Sequence, residues 1–269
     1  SFYRNSGGNI GRGGNALAVA AGEIAKAAKN NLKKLYDCPA DEVIFTASAT
    51  DALNRILLGL NLTKGDVVYC TPFEHNAVTR PLFHLAETTG IKIEVLPFDA
   101  ETFMPRYEEI EEAFAAQPPR LVVMTHASNV CGAVVPVETV ARMAKTYSAT
   151  TVIDMSQTAG LLPLQLSSDL FDFAVFATLY GPFGIGGFIC KRGAKLRPVF
   201  FGGNGINSVE QRLPENIVQM EEIGSQNTYA IAGLKASTDW LLEQGLEAIR
   251  KIEMENRDRL LECLRAAES

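Results

Sequence analysis

The sequence predicts an α/β fold in which a mostly parallel, seven-stranded sheet lies between two layers of helices. Short apolar runs rich in β-branched residues alternate along the chain with longer segments of helical spacing. The apolar run at 151–154 ends in a carboxylate, Asp154, which suits the edge of a parallel sheet, where ligands bind beyond the carboxyl ends of the strands. Alternating strands and helices favour right-handed crossovers, which cover both faces of the sheet.

The elements follow one another in a regular order. An Ala- and Lys-rich helix is predicted at Ala16 to Leu35, after a Gly- and Asn-rich loop. Strands are predicted at 42–46, 66–70, 92–96, 120–125, 152–154, 173–177 and 187–190. Further helices are predicted at 50–60, 76–88, 106–116, 137–147, 229–244 and 246–267. Residues 1–245 are expected to form one large domain, and residues 246–269 a helix that leads to a small C-terminal domain outside this chain.

Composition excludes several classes of function. The chain has 269 residues, a net charge of −6 and a pI of about 5.2, without a Lys/Arg stripe, so neither nucleic acid nor a membrane is an expected partner. No apolar run is long enough to span a bilayer, and the first residues do not resemble a signal peptide. Five widely spaced cysteines indicate reduced thiols and a cytoplasmic protein, and three histidines without ligand spacing argue against a metal site.

Polar clusters follow four of the predicted strands, at 46–51, 74–76, 126–129 and 154–157. In a parallel sheet these clusters share one edge. The first could bind a phosphate at a helix N-terminus, although such a motif alone is more often an ordinary Ser/Thr cap. His75 is either a surface residue or a ring stacked on a planar ligand, and Asn129 either a ligand-binding amide or a turn residue. Together the clusters suit a planar, phosphorylated, nitrogen-containing ligand with a hydroxyl group.

Asp154 is the most informative of these residues. A carboxylate buried at the end of a core strand is costly unless a cation or strong donors face it. The alternative is an aspartate that caps the next helix or fixes a turn.

These motifs together resemble the class V aminotransferase family of pyridoxal-phosphate enzymes, in particular its cysteine desulfurase and selenocysteine lyase branch. The resemblance covers essentially the whole chain and implies a three-layer fold of the aspartate-aminotransferase type (fold type I). Its motifs are Asn9–Arg12, Phe45–Asn54, Glu74–Ala77, Ser128–Gly132, Asp154–Gln157, Leu179–Gly187 and Glu222–Ser225.

The resemblance implies a role for each matching residue. Ala49 and Thr50 would hold the cofactor phosphate. Asp154 would pair with the pyridinium nitrogen and keep it protonated. The His75 ring would stack on the pyridine and assist proton transfer, which makes it the one catalytic residue expected within this chain.

Two further pairs are implied. Asn129 and Gln157 would bind the ring hydroxyl. Gly203 and Ser225 would reach the phosphate of a neighbouring subunit, which implies a homodimer.

The implied reaction is the conversion of L-cysteine to L-alanine, with the sulfur passing to an enzyme persulfide and then to a sulfur-acceptor protein. Selenocysteine lyase, with L-selenocysteine as substrate, or another β-lyase of the class remains an alternative. The substrate-carboxylate arginine and the nucleophilic cysteine belong to the C-terminal lobe of the family. Cys131 is expected to be a packed small residue.

One expected residue is absent. The family attaches its cofactor through a Schiff-base lysine in a Gly-His-Lys or Ser-His-Lys triplet, but here Ala177 is followed directly by Thr178. Lys191 and Lys195 are expected to be solvated and not to replace it. Either the triplet is missing from the sequence as given, or the protein is a non-catalytic scaffold relative. We favour the first alternative, because losing three residues at a strand end should disrupt the surrounding geometry.

Overall fold

The computed structural model describes residues 8, 10, 15–167, 169–203 and 209–268. The helices of this part of the chain are α1 (Ala16–Leu35), α2 (Ala49–Gly59), α3 (Asn76–Thr88), α4 (Tyr107–Ala116), α5 (Val137–Thr146), α6 (Ile217–Glu221), α7 (Thr228–Gln244) and α8 (Leu246–Glu268). The strands are β1 (Glu42–Thr46), β2 (Val67–Cys70), β3 (Lys92–Val95), β4 (Leu121–Thr125), β5 (Thr150–Asp154), β6 (Phe173–Phe176) and β7 (Gly186–Cys190).

The predicted order of elements is confirmed. Predicted and observed bounds differ by at most two residues at any end. Helix α6 was not predicted, because its five residues are too few to show a helical period. The predicted loop at 1–15 lies almost entirely outside the described residues.

The sheet has the order β1-β7-β6-β5-β4-β2-β3. Within the described residues, β7 is antiparallel to both of its neighbours, and the other adjacent pairs are parallel. The prediction of a mostly parallel, seven-stranded sheet is therefore confirmed.

Both faces of the sheet are buried. Alternate residues of a strand point to opposite faces. Accordingly, Val122 and Met124 of β4 join the apolar core that includes residues of α1, α4, α5 and α7, whereas Leu121 and Val123 join the core formed with α2, α3 and α6. The result is a three-layer α/β/α arrangement, and it explains why the strands read as continuous apolar runs.

The strand register places the polar clusters on one edge. Thr125 at the end of β4 lies beside Asp154 at the end of β5, and Asp154 lies beside Val175 of β6. The segments that follow β1, β2 and β4 leave the sheet at this same edge, because all of these strands run in one direction.

The C-terminal helices are separated by a single glycine. Gly245, with a φ of 78°, lies between α7 and α8, in a conformation that favours glycine. This position coincides with the predicted boundary at residue 245, and the division into two domains stays a prediction. None of the described helices combines the length and apolarity needed to cross a bilayer.

Candidate functional site

A cavity of about 310 Å³ opens at the carboxyl ends of the strands. Its walls come from the segments that follow β1, β2, β4, β5 and β6, which are far apart in sequence. The lining residues are Ser48, Ala49, Thr50, Leu53, His75, Ala77, Thr125, Ala127, Asn129, Asp154, Ser156, Gln157, Ala177, Thr178 and Phe183. Six of the eight residues predicted to bind a cofactor are therefore brought together.

Asp154 closes the inner end of the cavity and is only 4% exposed. Its Oδ1 accepts hydrogen bonds from the backbone N–H of Ser156, at 2.9 Å, and from the Ser156 hydroxyl. Burial raises the pKa of the Asp154 carboxyl above its usual range, and these two hydrogen bonds oppose that effect only in part. Among the described residues no Lys or Arg pairs with Asp154, so the site favours a cationic ligand group.

The N-terminus of α2 forms a second polar wall. The Ser48 hydroxyl accepts the Asp51 N–H at 3.1 Å, and the Ser48 carbonyl accepts the Ala52 N–H at 3.1 Å. The backbone N–H groups of Ala49 and Thr50 find no acceptor within the part of the chain that the structure describes. Unpaired donors at a helix N-terminus suit an anion such as phosphate.

Gly186 of β7 makes room for this helix start. A Cβ at Gly186 would lie 2.7 Å from the Ala49 nitrogen and 2.7 Å from the Ser48 carbonyl carbon. Glycine thus lets β7 pass directly beneath the two free donors.

His75 caps the N-terminus of α3, and this cap fixes its own ring. Its Nδ1 accepts the backbone N–H of Ala77 at 3.1 Å, so the neutral ring carries its proton on Nε2. The residue is exposed at the mouth of the cavity. Asn129 and Gln157 are also exposed there and supply amide groups that can both donate and accept hydrogen bonds.

Gly203 and Ser225 lie outside this cavity. The Gly203 carbonyl accepts the Gly224 N–H at 2.8 Å, which joins the two segments. Ser225 lines a second cavity of about 390 Å³, which Thr46 at the end of β1 and Asp51 in the first turn of α2 also line. Their predicted contact with a neighbouring subunit stays a prediction.

Comparison with known proteins agrees with this architecture. The family model described as aminotransferase class-V matches residues 1–269. The chain belongs to the class-V aminotransferase family. It is 29% identical over 268 residues to a probable cysteine desulfurase of Halalkalibacterium halodurans, covering 94% of this chain and 64% of that protein. It is 30% identical over 275 residues to a cysteine desulfurase of Pectobacterium carotovorum, covering 98% and 67%.

A solved structure shows the same fold. The apo structure of the cysteine desulfurase from Thermococcus onnurineus NA1 aligns with a TM-score of 0.90 at 26% identity, over 99% of this chain and 68% of that one. This class-V aminotransferase chain therefore has the fold of pyridoxal-phosphate enzymes of fold type I, and it spans just under two thirds of the Halalkalibacterium relative.

The junction that lacks the family lysine is the most strained part of the site. Ala177 and Thr178 line the cavity, and no lysine does so among the described residues. Leu179 and Tyr180 follow with φ of 43° and 59°, which costs on the order of 1–2 kcal/mol for each non-glycine residue. β6 and β7 remain paired up to Phe176 and Gly187 next to this junction. The expectation that a triplet is missing from the sequence as given stays a prediction.

Lys191 is not simply solvated, contrary to expectation. Its Nζ donates to the Leu166 carbonyl at 2.8 Å and lies 3.5 Å from an Asp41 carboxylate oxygen. Lys195 is exposed as expected, and neither lysine lines the cavity.

Two further residues, Cys131 and His126, lie close in sequence to residues that line the cavity, and Cys131 was expected to be packed. Cys131 is exposed and not packed, and its contact with the Ser128 hydroxyl lowers the pKa of its thiol. His126 is buried, and its Nδ1 lies 2.8 Å from the Thr158 hydroxyl.

Glu74 was not predicted to have a role, although it lies in the predicted polar cluster with His75. Its Oε1 accepts hydrogen bonds from the Thr71 hydroxyl and from the Thr125 N–H, both at 2.7 Å. The polar character of the 74–76 cluster was the only signal, because the contact with Thr125 joins residues distant in sequence.

Proposed function

We propose that the complete protein is a pyridoxal-phosphate-dependent cysteine desulfurase and that this chain supplies its cofactor-binding domain. The observation that carries the proposal is the buried Asp154 carboxylate at one end of a cavity whose other wall is a helix N-terminus. The similarity to proteins named cysteine desulfurase over most of the chain supports the choice of reaction. L-cysteine would transfer its sulfur to an enzyme thiol, which leaves L-alanine and a persulfide that can pass sulfur to an acceptor protein.

Pyridoxal phosphate fits the groups that the cavity presents. Its protonated pyridine nitrogen would supply the cation that Asp154 requires. Its phosphate would accept the free N–H groups of Ala49 and Thr50. The volume of about 310 Å³ is also adequate for a small ligand, because such pockets measure roughly 300 to 1,000 Å³.

The side chains that line the cavity would then orient the bound cofactor and hold or carry protons. When bound, the cofactor withdraws electrons from an amino acid substrate. Asp154 would hold the proton on the ring nitrogen through an ion pair worth about 4 kcal/mol before desolvation, for ~4 Å and an effective dielectric near 20. His75 would stack on the ring and carry protons, while Asn129 and Gln157 would bind the ring hydroxyl.

Assembly and location follow from the same proposal. In a homodimer, Gly203 and Ser225 of each subunit would reach the phosphate of the other. The position of Ser225 in a cavity next to the α2 N-terminus supports this arrangement. We also infer a cytoplasmic location, because all five cysteines are free thiols in the structure.

A non-catalytic scaffold relative is the second candidate. The observation that favours it is the cavity wall formed by Ala177 and Thr178, where the family has its lysine. Without an amine at this position, covalent attachment of the cofactor lacks its usual route.

One experiment separates the two candidates. Purified full-length protein is mixed with pyridoxal phosphate, and its visible absorbance is recorded before and after borohydride. In separate samples that contain a thiol reductant, which releases the persulfide sulfur as sulfide, the sulfide and alanine formed from L-cysteine are measured. A desulfurase gives a band that borohydride removes, and equal amounts of the two products. A protein without a band and without products is a scaffold. Parallel assays with L-selenocysteine test the lyase alternative, and the gene sequence across Ala177–Thr178 shows whether the triplet is encoded.

A further inference from the structure

Glu74 lies behind the cavity wall and joins two strands of the sheet. Thr71 directly follows β2, and Thr125 is the last residue of β4, beside Asp154 in the β5 register. By accepting a hydrogen bond from each at 2.7 Å, a single carboxylate oxygen connects the loop after β2 to the edge that carries Asp154. Both donors are buried, at 2% and 5% exposure, so water does not compete for this oxygen.

The second carboxylate oxygen of Glu74 is unusual. Oε2 is buried and has no hydrogen-bond partner among the described residues. Burial raises the pKa of Glu74 to about 7, and the nearby charge of Asp154 contributes to this effect. Such a buried polar group calls for an explanation, because burying an unpaired oxygen costs free energy that an apolar residue would avoid.

The neighbouring residue, His75, indicates why a carboxylate with a bonded Oε1 is useful in this loop. His75 caps α3, and its Nδ1 accepts the Ala77 N–H, so the ring is fixed to the helix that follows. Glu74 fixes the same loop to the sheet on the other side. The loop is therefore held at two adjacent residues, one bonded to β4 and one bonded to α3.

We propose that Glu74 is a positioning residue that holds the His75 ring at the cavity through its bonds to Thr71 and Thr125. This inference takes the identity of the ligand in the cavity from the proposed function. Without this connection the loop after β2 loses its link to β4, and the ring samples other orientations. Pyridoxal phosphate then binds more weakly, because the stacking partner has to be ordered when the ligand enters.

The test uses the nitrogen resonances of the histidine rings, which report the tautomer directly. In ¹⁵N-histidine-labelled wild-type protein without cofactor, His75 is expected to show a fixed Nε2–H form. Glu74→Ala should give averaged His75 resonances and weaken pyridoxal phosphate binding by about tenfold, the change expected when a buried hydrogen bond is lost. Glu74→Gln keeps the accepting oxygen and should restore both properties.

Matched variants keep the test decisive. Thr71→Val removes one donor and should move the His75 resonances in the same direction as Glu74→Ala, whereas Thr71→Ser keeps the hydroxyl and should not. Exposed Glu87→Gln in α3 is the control for loss of a nearby charge. If Glu74→Ala does not fold, the comparison of Thr71→Val with Thr71→Ser tests the positioning role instead.

The outcomes are separable from those of the proposed function. Unchanged His75 resonances and affinity in Glu74→Ala, or in Thr71→Val, would overturn the positioning role. Failure of the wild-type protein to bind pyridoxal phosphate would instead count against the proposed function. The tautomer measurement would still test the positioning role of Glu74 in that case.

Discussion

Replacing Glu74 by glutamine is predicted to change how the stability of the protein depends on pH. The pKa of this buried carboxyl is raised from 4.5 to about 7 in the folded protein, mainly by burial. Ionisation is therefore easier in the unfolded chain, and the free energy of unfolding falls as the pH rises from about 4.5 to about 7. The titratable groups that interact with Glu74 are Asp154 on β5 and Cys70 on β2, and both stay in place in the variant.

The two pKa values give the size of the effect. One pKa unit corresponds to about 1.4 kcal/mol, so ionising Glu74 in the fold costs less than about 1 kcal/mol at pH 5 and about 3 kcal/mol at pH 8. Glutamine has nearly the same shape and does not titrate. Its buried amide adds a penalty that is the same at every pH. The variant should therefore gain about 2 to 3 kcal/mol relative to wild type between pH 5 and pH 8.

Urea denaturation of cofactor-free wild type and Glu74→Gln at pH 5, 6, 7 and 8 measures this difference. Tryptophan fluorescence can follow unfolding, because the chain has one tryptophan, Trp240. The exposed variant Glu87→Gln should show a constant difference from wild type over the same range. A constant difference for Glu74→Gln as well would mean that the carboxyl is hydrated, and would refute the reasoning.

Three further predictions concern the cavity. Ser48→Ala removes the α2 cap and should lower the free energy of unfolding in urea by about 1 kcal/mol; an unchanged value would show that the cap is dispensable. Gly186→Ala places a methyl group against Ala49, so both the melting temperature and the affinity for pyridoxal phosphate should fall, and wild-type values for both would contradict the described close approach. Insertion of Gly-His-Lys between Ala177 and Thr178 should allow borohydride to trap pyridoxal phosphate covalently, as detected by mass spectrometry; absence of the adduct would mean that the junction does not face the ligand.

The sequence predicts the layers of the fold well because their signals are local. Strands such as β4 are buried on both faces and read as short apolar runs, and the helices between them show a clear period. Asp154 could be recognised because a carboxylate is rare at the end of a buried strand. The strand order then brings it to the same edge as His75 and Asn129.

The features that were not predicted depend on contacts between segments that are distant in sequence. The bond from Thr125 to Glu74 and the reach of Lys191 to the Leu166 carbonyl have no local signature. The exposure of Cys131 follows from how its loop leaves β4, and the left-handed conformation of Leu179 follows from how the chain closes the turn before β7. Residue type alone predicts neither property.

The affinity of pyridoxal phosphate for wild type and Asp154→Asn tests the central claim most directly. Asparagine fits the same space without a charge, so it cannot stabilise a protonated ring nitrogen. Allowing for desolvation, Asp154→Asn should bind pyridoxal phosphate about 100-fold more weakly than wild type. The exposed control variant Glu101→Gln should bind it with the wild-type affinity. Equal affinities and equal absorbance spectra for wild type and Asp154→Asn would contradict the assignment of Asp154 as the partner of the cofactor.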